Sequence, residues 1–348
     1  MDERLRVALL FGGRSAEHDV SVMSAGNVFR ALDPNRYEVV PIAITRDGTW
    51  LHCPLEGGAF PQAVPQTGAG IALLPGGGGR LVIMPQDRNL PLDLSVAVDV
   101  IFPVLHGPFG EDGTVQGAAE LAGVPYVGSG VFGSAAAMDK EAAKRLLRDS
   151  GLPVAGFAAF TAQDQPSFDE VTAMLGRPVF VKPARLGSSV GVNKAATPEE
   201  FVRGREIECG VLEGKDGSLL VSVPGEIVPT NRHLFYSYEA KYLDADGAEI
   251  KVPADLPVKV AEEVRAMTAR AFQALGCEGM ARIDFFLRED GKVLVNEVNT
   301  LPGFTKISMY PKVLAASGVG YSELVDRLIG HALARARPKG EPLSQTGT

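Results

Sequence analysis

The stretch Gly276–Gly303, GCEGMARIDFFLREDGKVLVNEVNTLPG, decides the fold of this chain because it encodes a β-hairpin. Residues 281–288 and 292–299 are rich in apolar and β-branched side chains, which is typical of strands. Asp290-Gly291 between them is a typical hairpin turn pair. The sequence therefore predicts two paired antiparallel strands here.

The predicted register of this hairpin groups its polar side chains. Pairing outward from the turn places Asp284 opposite Glu297, and Arg282 opposite Asn299. Residues two apart on a strand share a face, so these four side chains are expected to project together. The other face is predicted to be core and carries Ile283, Phe285, Leu287, Leu294 and Val298.

Asp284 and Glu297, set directly opposite each other, repel by roughly 0.2–1 kcal/mol even when hydrated. The repulsion grows once the carboxylates are desolvated. One explanation is a solvated face on which an arginine offsets the charges. The same predicted face also carries Phe286, Val293 and Val295, which indicates that it is covered. We therefore expect a positive group between the two carboxylates.

Asp284, Glu297 and Asn299 offer three oxygen ligands without a nearby Cys or His, and this donor set suits a hard cation. Mg²⁺ typically takes one or two carboxylates and completes its shell with phosphate oxygens and water. The hairpin therefore predicts a nucleotide phosphate site.

The bulk composition is that of an ordinary enzyme. The 348 residues are 45% hydrophobic and 22% charged, which suits two or three domains. A formal net charge of −8 argues against a general nucleic-acid binder. Cys53, Cys209 and Cys277 are scattered, as reduced thiols of cytoplasmic proteins are. Since no signal peptide or membrane-spanning run is evident, we expect a cytoplasmic protein that binds neither nucleic acid nor membrane.

The first part of the chain predicts an open α/β domain. Strands are expected at 5–11, 37–45, 96–105 and 125–127, and helices at 19–32 and 114–122. Glu17 follows the first strand at its carboxyl end, where open sheets bind ligands. It could bind a ligand ammonium or simply occupy the first turn of the helix, where a carboxylate is favoured. The spacing leaves both roles open.

Beyond residue 127 the pattern alternates again. We expect a helix at 132–149 with Lys140 in its middle, a strand at 155–160, a helix at 167–175 and a strand at 179–182. The last strand runs into a Gly-Ser-Ser-Val-Gly loop at 187–191, which can cradle phosphate with backbone N–H groups and hydroxyls. A serine-rich hairpin loop is the alternative. No Walker A pattern occurs, so the chain is not expected to be a P-loop NTPase.

The sequence resembles the D-alanine–D-alanine ligases of the ATP-grasp superfamily in KPARLGSSVGV (182–192), YSYEAKYL (236–243), GMARIDFF (279–286) and NEVNTLPGFTKIS (296–308). GGRSAEHDVS (12–21), HGPFGEDGTVQG (106–117) and MDK (138–140) fit the same family. The resemblance covers residues from about 5 to 335 in the expected order. It implies a three-domain α/β ATP-grasp fold that holds ATP between two sheets.

The resemblance also implies the domain organisation and the assembly. The domains are residues 1–126, an N-terminal α/β substrate domain; 127–201, a central ATP-grasp subdomain; and 202–338, a C-terminal ATP-grasp and metal-binding domain. Residues 224–253 match the closing lid of the family, and 339–348 are expected to be a tail. The family also leads us to expect a homodimer.

The roles of the nucleotide-site residues follow from the same resemblance. Asp284, Glu297 and Asn299 match ligands of Mg²⁺, which Mn²⁺ could replace. Phosphate and nucleotide contacts are expected from Lys140, Lys182, Lys241, Asn296 and Glu297. Glu206 matches the carboxylate that holds the ribose.

The remaining matches concern the amino-acid substrates. Glu17 matches the residue that receives the ammonium of the first D-alanine, and His106 lies near that substrate. Ser308, with Met309, matches the position that takes the carboxylate of the second D-alanine. Arg282 and the Gly303 N–H match the pair that faces the tetrahedral oxyanion. Tyr242 matches the lid residue that joins Glu17 and Ser188 in one hydrogen-bonded set.

One departure from the family pattern lies at residues 197–206. Thr197 begins a helix properly, but the sequence reaches Gly204 without the further helical turns and the strand that wall the adenine pocket in the family. Either residues are missing from the printed sequence, which we favour because the other site residues are in place, or the deletion is real. The expected activity is D-alanyl-D-alanine synthesis. A D-alanine–D-lactate ligase and a non-catalytic nucleotide-binding relative stay open as alternatives.

Overall fold

The computed structural model describes residues 4–87, 89–161, 163–164, 166–176, 179–181, 183–184, 193–195, 204–229 and 248–336. These residues form two six-stranded sheets, a two-stranded ladder and helices that pack on the sheets. The predicted α/β class is therefore confirmed. Within the described ranges, no helix has the length and apolarity that a membrane span requires.

Strands and helices alternate along the chain. The strands are β1 (Leu5–Gly12), β2 (Tyr37–Ile44), β3 (Trp50–His52), β4 (Gly70–Leu73), β5 (Leu81–Met84), β6 (Val100–Pro103), β7 (Val179–Val181), β8 (Asn193–Ala195), β9 (Gly204–Glu213), β10 (Leu219–Val221), β11 (Gly225–Pro229), β12 (Ala248–Lys251), β13 (Met280–Arg288) and β14 (Val293–Asn299). The helices are α1 (His18–Ala31), α2 (Thr114–Ala122), α3 (Val131–Met138), α4 (Lys140–Asp149), α5 (Phe168–Leu175), α6 (Val258–Ala274), α7 (Met309–Ala316) and α8 (Tyr321–Arg335).

The first sheet has the strand order β5-β4-β3-β2-β1-β6. β1 runs parallel to both of its neighbours, and its continuous apolar run is buried because side chains on both faces are covered. Val7, Leu9 and Phe11 pack in one core cluster with residues of α1 and α8, whereas Ala8 and Leu10 pack in another with residues of α2. The predicted strands at 5–11 and 37–45 and the helices at 19–32 and 114–122 are confirmed to within a residue or two.

Two predicted strands of this sheet are shorter in the structure. The one expected at 96–105 is reduced to β6, and the one expected at 125–127 is a single parallel bridge between Ile101 and Tyr126. Residues 96 and 98 instead bond outside the main ladder, to the backbone of Leu81 and Gly79. Hydrophobicity marked these segments correctly as buried, but the hydrogen bonds that define a strand depend on a partner elsewhere in the chain.

The second sheet has the order β12-β11-β9-β13-β14, with β10 on the far end of β9. β13 pairs with β9 along its whole length, from Met280 to Arg288. α6 covers one face of this sheet and α7 packs on the other. Gly210 permits the second contact, because a Cβ there would lie 3.1 Å from the Tyr310 ring. The predicted hairpin thus forms the edge half of a larger sheet.

The hairpin register is correct at its open end and wrong near its turn. Arg282 pairs with Asn299, and Asp284 with Glu297, as predicted, but Phe285 then pairs with Val295. Asn296 is an extra residue between the two registers, which is the definition of a β-bulge.

The bulge reverses the predicted faces of the strand beyond it, because side chains alternate with a period of two. Val293 and Val295 are buried in the core with Phe285 and Leu287, rather than covering the polar face. Leu294, predicted as core, is only half-buried. Cover for the polar face comes instead from the loops that follow β6 and β14.

The helix predicted at 132–149 is two helices. Asp139 has extended backbone (φ −83°, ψ 103°), ends α3 and caps α4, where its carboxylate accepts hydrogen bonds from Glu141 N and Ala142 N. Lys140 is therefore the first residue of a helix and not the middle of one. Residues 155–160 do not form the predicted strand either; among the described residues of this segment, a bridge joins Val154 to Val295.

Some predicted segments lie partly or wholly outside the described residues. α5 confirms the helix at 167–175, and its Ser167 and Glu170 form a reciprocal capping box. β7 confirms the strand at 179–182 as far as residue 181. Residues 196–203, where the departure from the family pattern begins, and the predicted tail lie outside those ranges. Of the predicted lid, the ends are described as β11 and β12, which pair antiparallel at the edge of the sheet.

Candidate active site

A cleft opens between the carboxyl ends of β1 and β6 and the polar face of the hairpin. Its lining includes the predicted site residues Glu17, His106, Lys140, Arg282, Glu297 and Asn299, and it also includes Gly303. These residues lie up to 286 positions apart in the sequence. The fold therefore brings most of the described predicted site residues to one place.

Glu17 and His106 form the wall on the side of the first sheet. Glu17 is the N-cap residue of α1 and is buried. Gly107 adjoins it closely, with a φ of +73° that favours glycine, and a Cβ there would lie 3.3 Å from Glu17 Oε2. The carboxylate therefore lies inside the cleft, rather than on a solvated first turn of the helix.

The imidazole of His106 is buried and spans the two walls. Its Nδ1 lies 3.1 Å from the carbonyl oxygen of Leu301, and its Nε2 has no hydrogen-bond partner among the described residues. Burial lowers the pKa of His106, so the ring is neutral near pH 7. Nδ1–H must then donate to Leu301, which leaves Nε2 as an acceptor.

Glu111 also lines this wall, and the sequence analysis gave it no role. Its carboxylate accepts hydrogen bonds from Gly107 N at 2.6 Å and from Leu301 N at 3.2 Å. Burial, and next the neighbouring charge of Glu17, raise the pKa of Glu111 to about 8. Glu111 therefore ties the loop after β6 to the segment after β14. The sequence feature that could have pointed to Glu111 was its position as a carboxylate within the motif at 106–117.

The opposite wall is the polar face of β13 and β14. Arg282 donates to Asp284 through two bonds, Nε to Oδ1 at 2.7 Å and Nη2 to Oδ2 at 2.8 Å. Asn299 Nδ2 donates to Asp284 Oδ2 at 3.0 Å. The arginine that the sequence placed beside the carboxylates thus pairs directly with one of them.

A third carboxylate, Glu208 of β9, extends this face. It pairs in register with Asp284 and is buried, and its Oε2 lies 2.9 Å from Arg282 Nε. Glu206 lies two residues earlier on β9 and so shares the face. The spacing of Glu206 and Glu208, two residues apart, was the sequence signal for Glu208. The contact of Glu208 with Arg282 could not be predicted from it, because both glutamates are far from the hairpin in the sequence.

The donor set on this wall suits a hard cation. Asp284, Glu297 and Asn299 present oxygens from adjacent strands, and the amide of Asn299 directs its nitrogen to Asp284, which leaves its oxygen as a ligand. No group of three His, Cys, Asp or Glu side chains in the described part of the chain is arranged to hold a metal ion alone. Two carboxylates and one amide oxygen fit Mg²⁺, which takes few carboxylates and fills its shell with phosphate and water.

Gly303 and Ser308 lie side by side at the end of the cleft. A Cβ on Gly303 would meet Ser308 Oγ at 2.7 Å, so a larger residue there would displace the Ser308 side chain. Ser308 is the N-cap residue of α7, and its Oγ also lies 2.7 Å from Thr305 Oγ1. Met309, the first residue of α7, is buried. The N-terminus of this helix offers backbone N–H groups to a carboxylate.

Lys140 begins α4, and its backbone N donates to Ala184 O at 2.9 Å, next to the predicted phosphate loop. Asn296 is the residue of the bulge, next to Glu297. Lys182, Ser188, Lys241 and Tyr242 lie outside the described residues.

Comparison with known proteins matches this chain to one family. The family model described as the D-ala D-ala ligase N-terminus matches residues 6–129, and that of the D-ala D-ala ligase C-terminus matches residues 146–330. The chain belongs to the D-alanine–D-alanine ligase family. A relative from Mesorhizobium japonicum, D-alanine–D-alanine ligase A, is 58% identical over 361 residues, covering 97% of this chain and all of the relative. Since that alignment is longer than the 348-residue chain, the relative carries residues that this chain lacks.

Solved structures of the family share the fold. The D-alanine–D-alanine ligase from Coxiella burnetii is 33% identical, with a TM-score of 0.81 over 96% of this chain and 95% of that one. The D-alanine–D-alanine ligase from Bacillus anthracis, solved in complex with ATP, is 27% identical, with a TM-score of 0.68 over 94% and 97% of the two chains. The predicted ATP-grasp fold is therefore confirmed.

Proposed function

We propose that this chain ligates two D-alanine molecules to D-alanyl-D-alanine with hydrolysis of ATP to ADP and phosphate, as a step of peptidoglycan precursor synthesis. The observation that carries the proposal is the convergence of Glu17 and His106 with Arg282 and Gly303 in one cleft. The residues proposed to bind the amino acid and those proposed to face the oxyanion thus line the same cleft. The name of the 58% identical relative supports the same activity.

The first step activates the carboxylate of the first D-alanine. Glu17 binds its ammonium, and the acceptor Nε2 of His106 lies beside it on the same wall. A carboxylate oxygen attacks the γ-phosphorus of ATP, the bond to the bridging oxygen breaks, and ADP leaves with a D-alanyl phosphate formed. Lys140, Lys182 and Lys241 balance the phosphate charge, because phosphoryl transfer is catalysed chiefly by positioning and electrostatics.

Asp284, Glu297 and Asn299 would hold Mg²⁺, or Mn²⁺ in its place, against the phosphates. The ion supplies charge neutralisation and orientation of the phosphate oxygens. Asn296 adjoins these ligands on the bulge, and Glu206 on the same face of the sheet would hold the ribose.

The second step joins the two substrates. The amine of the second D-alanine, having lost its proton, attacks the carbonyl carbon of the acyl phosphate. Arg282 and the Gly303 N–H stabilise the oxyanion, which collapses to the amide as phosphate leaves. Ser308, with Met309, at the N-terminus of α7 would bind the carboxylate of the second D-alanine. Because water hydrolyses an acyl phosphate, residues 224–253 would close over the site, with Tyr242 joined to Glu17 and Ser188.

The domain boundaries, the cellular location and the oligomeric state that we propose are those that the family resemblance implies. The substrate domain is residues 1–126, the central subdomain 127–201, and the C-terminal domain 202–338. The enzyme would act in the cytoplasm as a homodimer. An intracellular site suits its three free cysteines, two of which are buried.

Phosphate release on mixing the protein with ATP, Mg²⁺ and D-alanine tests the proposal. We expect equal amounts of phosphate and of D-alanyl-D-alanine, identified by mass spectrometry. Phosphate released only when D-lactate accompanies D-alanine would instead identify a depsipeptide ligase. Binding of ATP without any turnover would identify a nucleotide-binding relative.

A further inference from the structure

The row of carboxylates at the centre of the second sheet is longer than the substrate chemistry requires. Glu208 of β9 pairs with Asp284 of β13, which in turn pairs with Glu297 of β14. Three carboxylates therefore stand side by side on neighbouring strands. Like charges directly opposite each other on a sheet are destabilising, so the third one calls for an explanation.

Arg282 connects two members of the row. Its side chain is 13% exposed, and that of Glu208 is 7% exposed, so the contact is shielded from water. The Nε–H is directed at Asp284 Oδ1 at 2.7 Å, while Glu208 Oε2 lies 2.9 Å from the same nitrogen. The guanidinium thus lies between two carboxylates instead of pairing with one.

As a result, the two carboxylate oxygens of Asp284 accept different numbers of hydrogen bonds. Oδ2 accepts from Arg282 Nη2 and from Asn299 Nδ2, whereas Oδ1 accepts only the Nε–H of Arg282 among the described residues. A carboxylate oxygen has two lone pairs. Asp284 Oδ1 therefore retains capacity for a further positive ligand.

We propose that Glu208 is a positioning residue for Arg282, and that by sharing the guanidinium it keeps Asp284 available to a divalent cation. This inference rests on the proposed ligase function. Without Glu208, Arg282 would pair with Asp284 alone and compete with the cation for its oxygens. Arg282 would also lose the contact with Glu208 that holds its side chain in position toward Gly303.

The charges of the row agree with this role. Counted at their formal charges, three carboxylates and one guanidinium leave two negative charges, which a single divalent cation balances. Removing Glu208 leaves one negative charge. Glu213, the last residue of the same strand β9, also has a basic partner, with its Oε2 3.1 Å from His331 Nε2, and it is not among the cation ligands.

The test compares Glu208→Gln and Glu208→Asp with Glu213→Gln as the matched control. We expect Glu208→Gln to weaken Mn²⁺ binding, followed by electron paramagnetic resonance, and to lower kcat, each by roughly ten-fold, as loss of a group supporting a metal ligand does. KM for ATP should change by less than about two-fold, and Glu208→Asp should restore part of both losses. Glu213→Gln should lower Tm, because its contacts with His331 and Gly279 N are weakened, and it should leave Mn²⁺ affinity and kcat unchanged.

A second comparison isolates the path through Arg282. If Glu208 acts by sharing the guanidinium, adding Glu208→Gln to Arg282→Met should change Mn²⁺ affinity by less than about two-fold, since coupled residues are not additive. If Glu208→Gln weakened Mn²⁺ binding by the same factor in the Arg282→Met variant as in the wild type, the inference would be wrong. It would also be wrong if the Glu208→Gln single variant bound Mn²⁺ as tightly as the wild type. An inactive wild type that binds Mn²⁺ and responds as described would instead overturn the ligase function alone.

Discussion

The two walls of the cleft manage buried charge in opposite ways. On the wall of the first sheet, burial favours neutral forms, because it raises the pKa of Glu111 and lowers the pKa of His106. On the wall of the second sheet, Glu208 and Asp284 share the charge of Arg282. The first arrangement suits a small zwitterion held by hydrogen bonds. The second suits phosphate and a cation, whose charges must be balanced where they lie.

The largest expected effect concerns the cation wall. Glu297→Gln should lower kcat by roughly 100-fold, because a ligand of the proposed Mg²⁺ is weakened. The fold should survive, since the repulsion between Glu297 and Asp284 is relieved. Phosphate release measured against Mg²⁺ concentration checks this, with Glu289→Gln, an exposed carboxylate beside the hairpin turn, as the control. Unchanged Mg²⁺-dependent turnover would remove the metal site from this wall.

A smaller effect is expected on the neutral wall, and it depends on pH. The pKa of Glu111 is about 8 in the folded chain and near its ordinary value of about 4.3 when unfolded. Protonation therefore favours the folded state. This contribution is complete below the unfolded pKa and is lost as pH rises to about 8.

Glu111→Gln keeps that side chain neutral at every pH. Between pH 5 and 8, the free energy of unfolding of the wild type should fall relative to that of the variant, by at least about 1 kcal/mol. Above pH 8 the difference should level off. Urea unfolding at each pH gives the measurement, and Glu323→Gln, on the exposed side of α8, is the control. A difference independent of pH would mean that Glu111 does not titrate in this range.

The smallest effect concerns the lid, which joins the walls in the proposed closed state. Tyr242→Phe should relax the preference for an amine over a hydroxyl nucleophile, because a buried hydroxyl in a hydrogen-bonded set contributes only about 0.5–1.5 kcal/mol. D-alanine and D-lactate would compete as second substrates from mildly acidic to neutral pH, with both products quantified. The same product ratio in both proteins at every pH would reduce Tyr242 to packing.

The sequence predicted the cation wall better than the neutral one, and the reason is local geometry. Asp284 and Glu297 lie on one hairpin, so counting back from the turn paired them correctly, because the bulge at Asn296 offset the register error near the turn. The bulge at Asn296 could not be predicted, because nothing in the alternation of the strand marks an extra residue. It reversed the faces of Val293 and Val295.

Residues missed by the sequence analysis owe their positions to distant partners. Glu208 meets Arg282 only because β9 pairs with β13, and Glu111 meets Leu301 only because the two sheets adjoin. The break at Asp139 was predictable in principle. Asp is a favoured N-cap residue, whereas the sequence analysis gave more weight to the continuous helical pattern around Lys140.

Parallel binding titrations of Glu297→Gln and His106→Ala test most directly whether one wall binds the amino acid and the other binds the cation. Mn²⁺ binding would be followed by electron paramagnetic resonance, and D-alanine binding by ligand-observed NMR without nucleotide. We expect Glu297→Gln to weaken Mn²⁺ by roughly ten-fold or more and to leave D-alanine within about two-fold, and His106→Ala to do the reverse. Loss of both ligands in both variants, or the opposite assignment, would contradict the division of the site into an amino-acid wall and a cation wall.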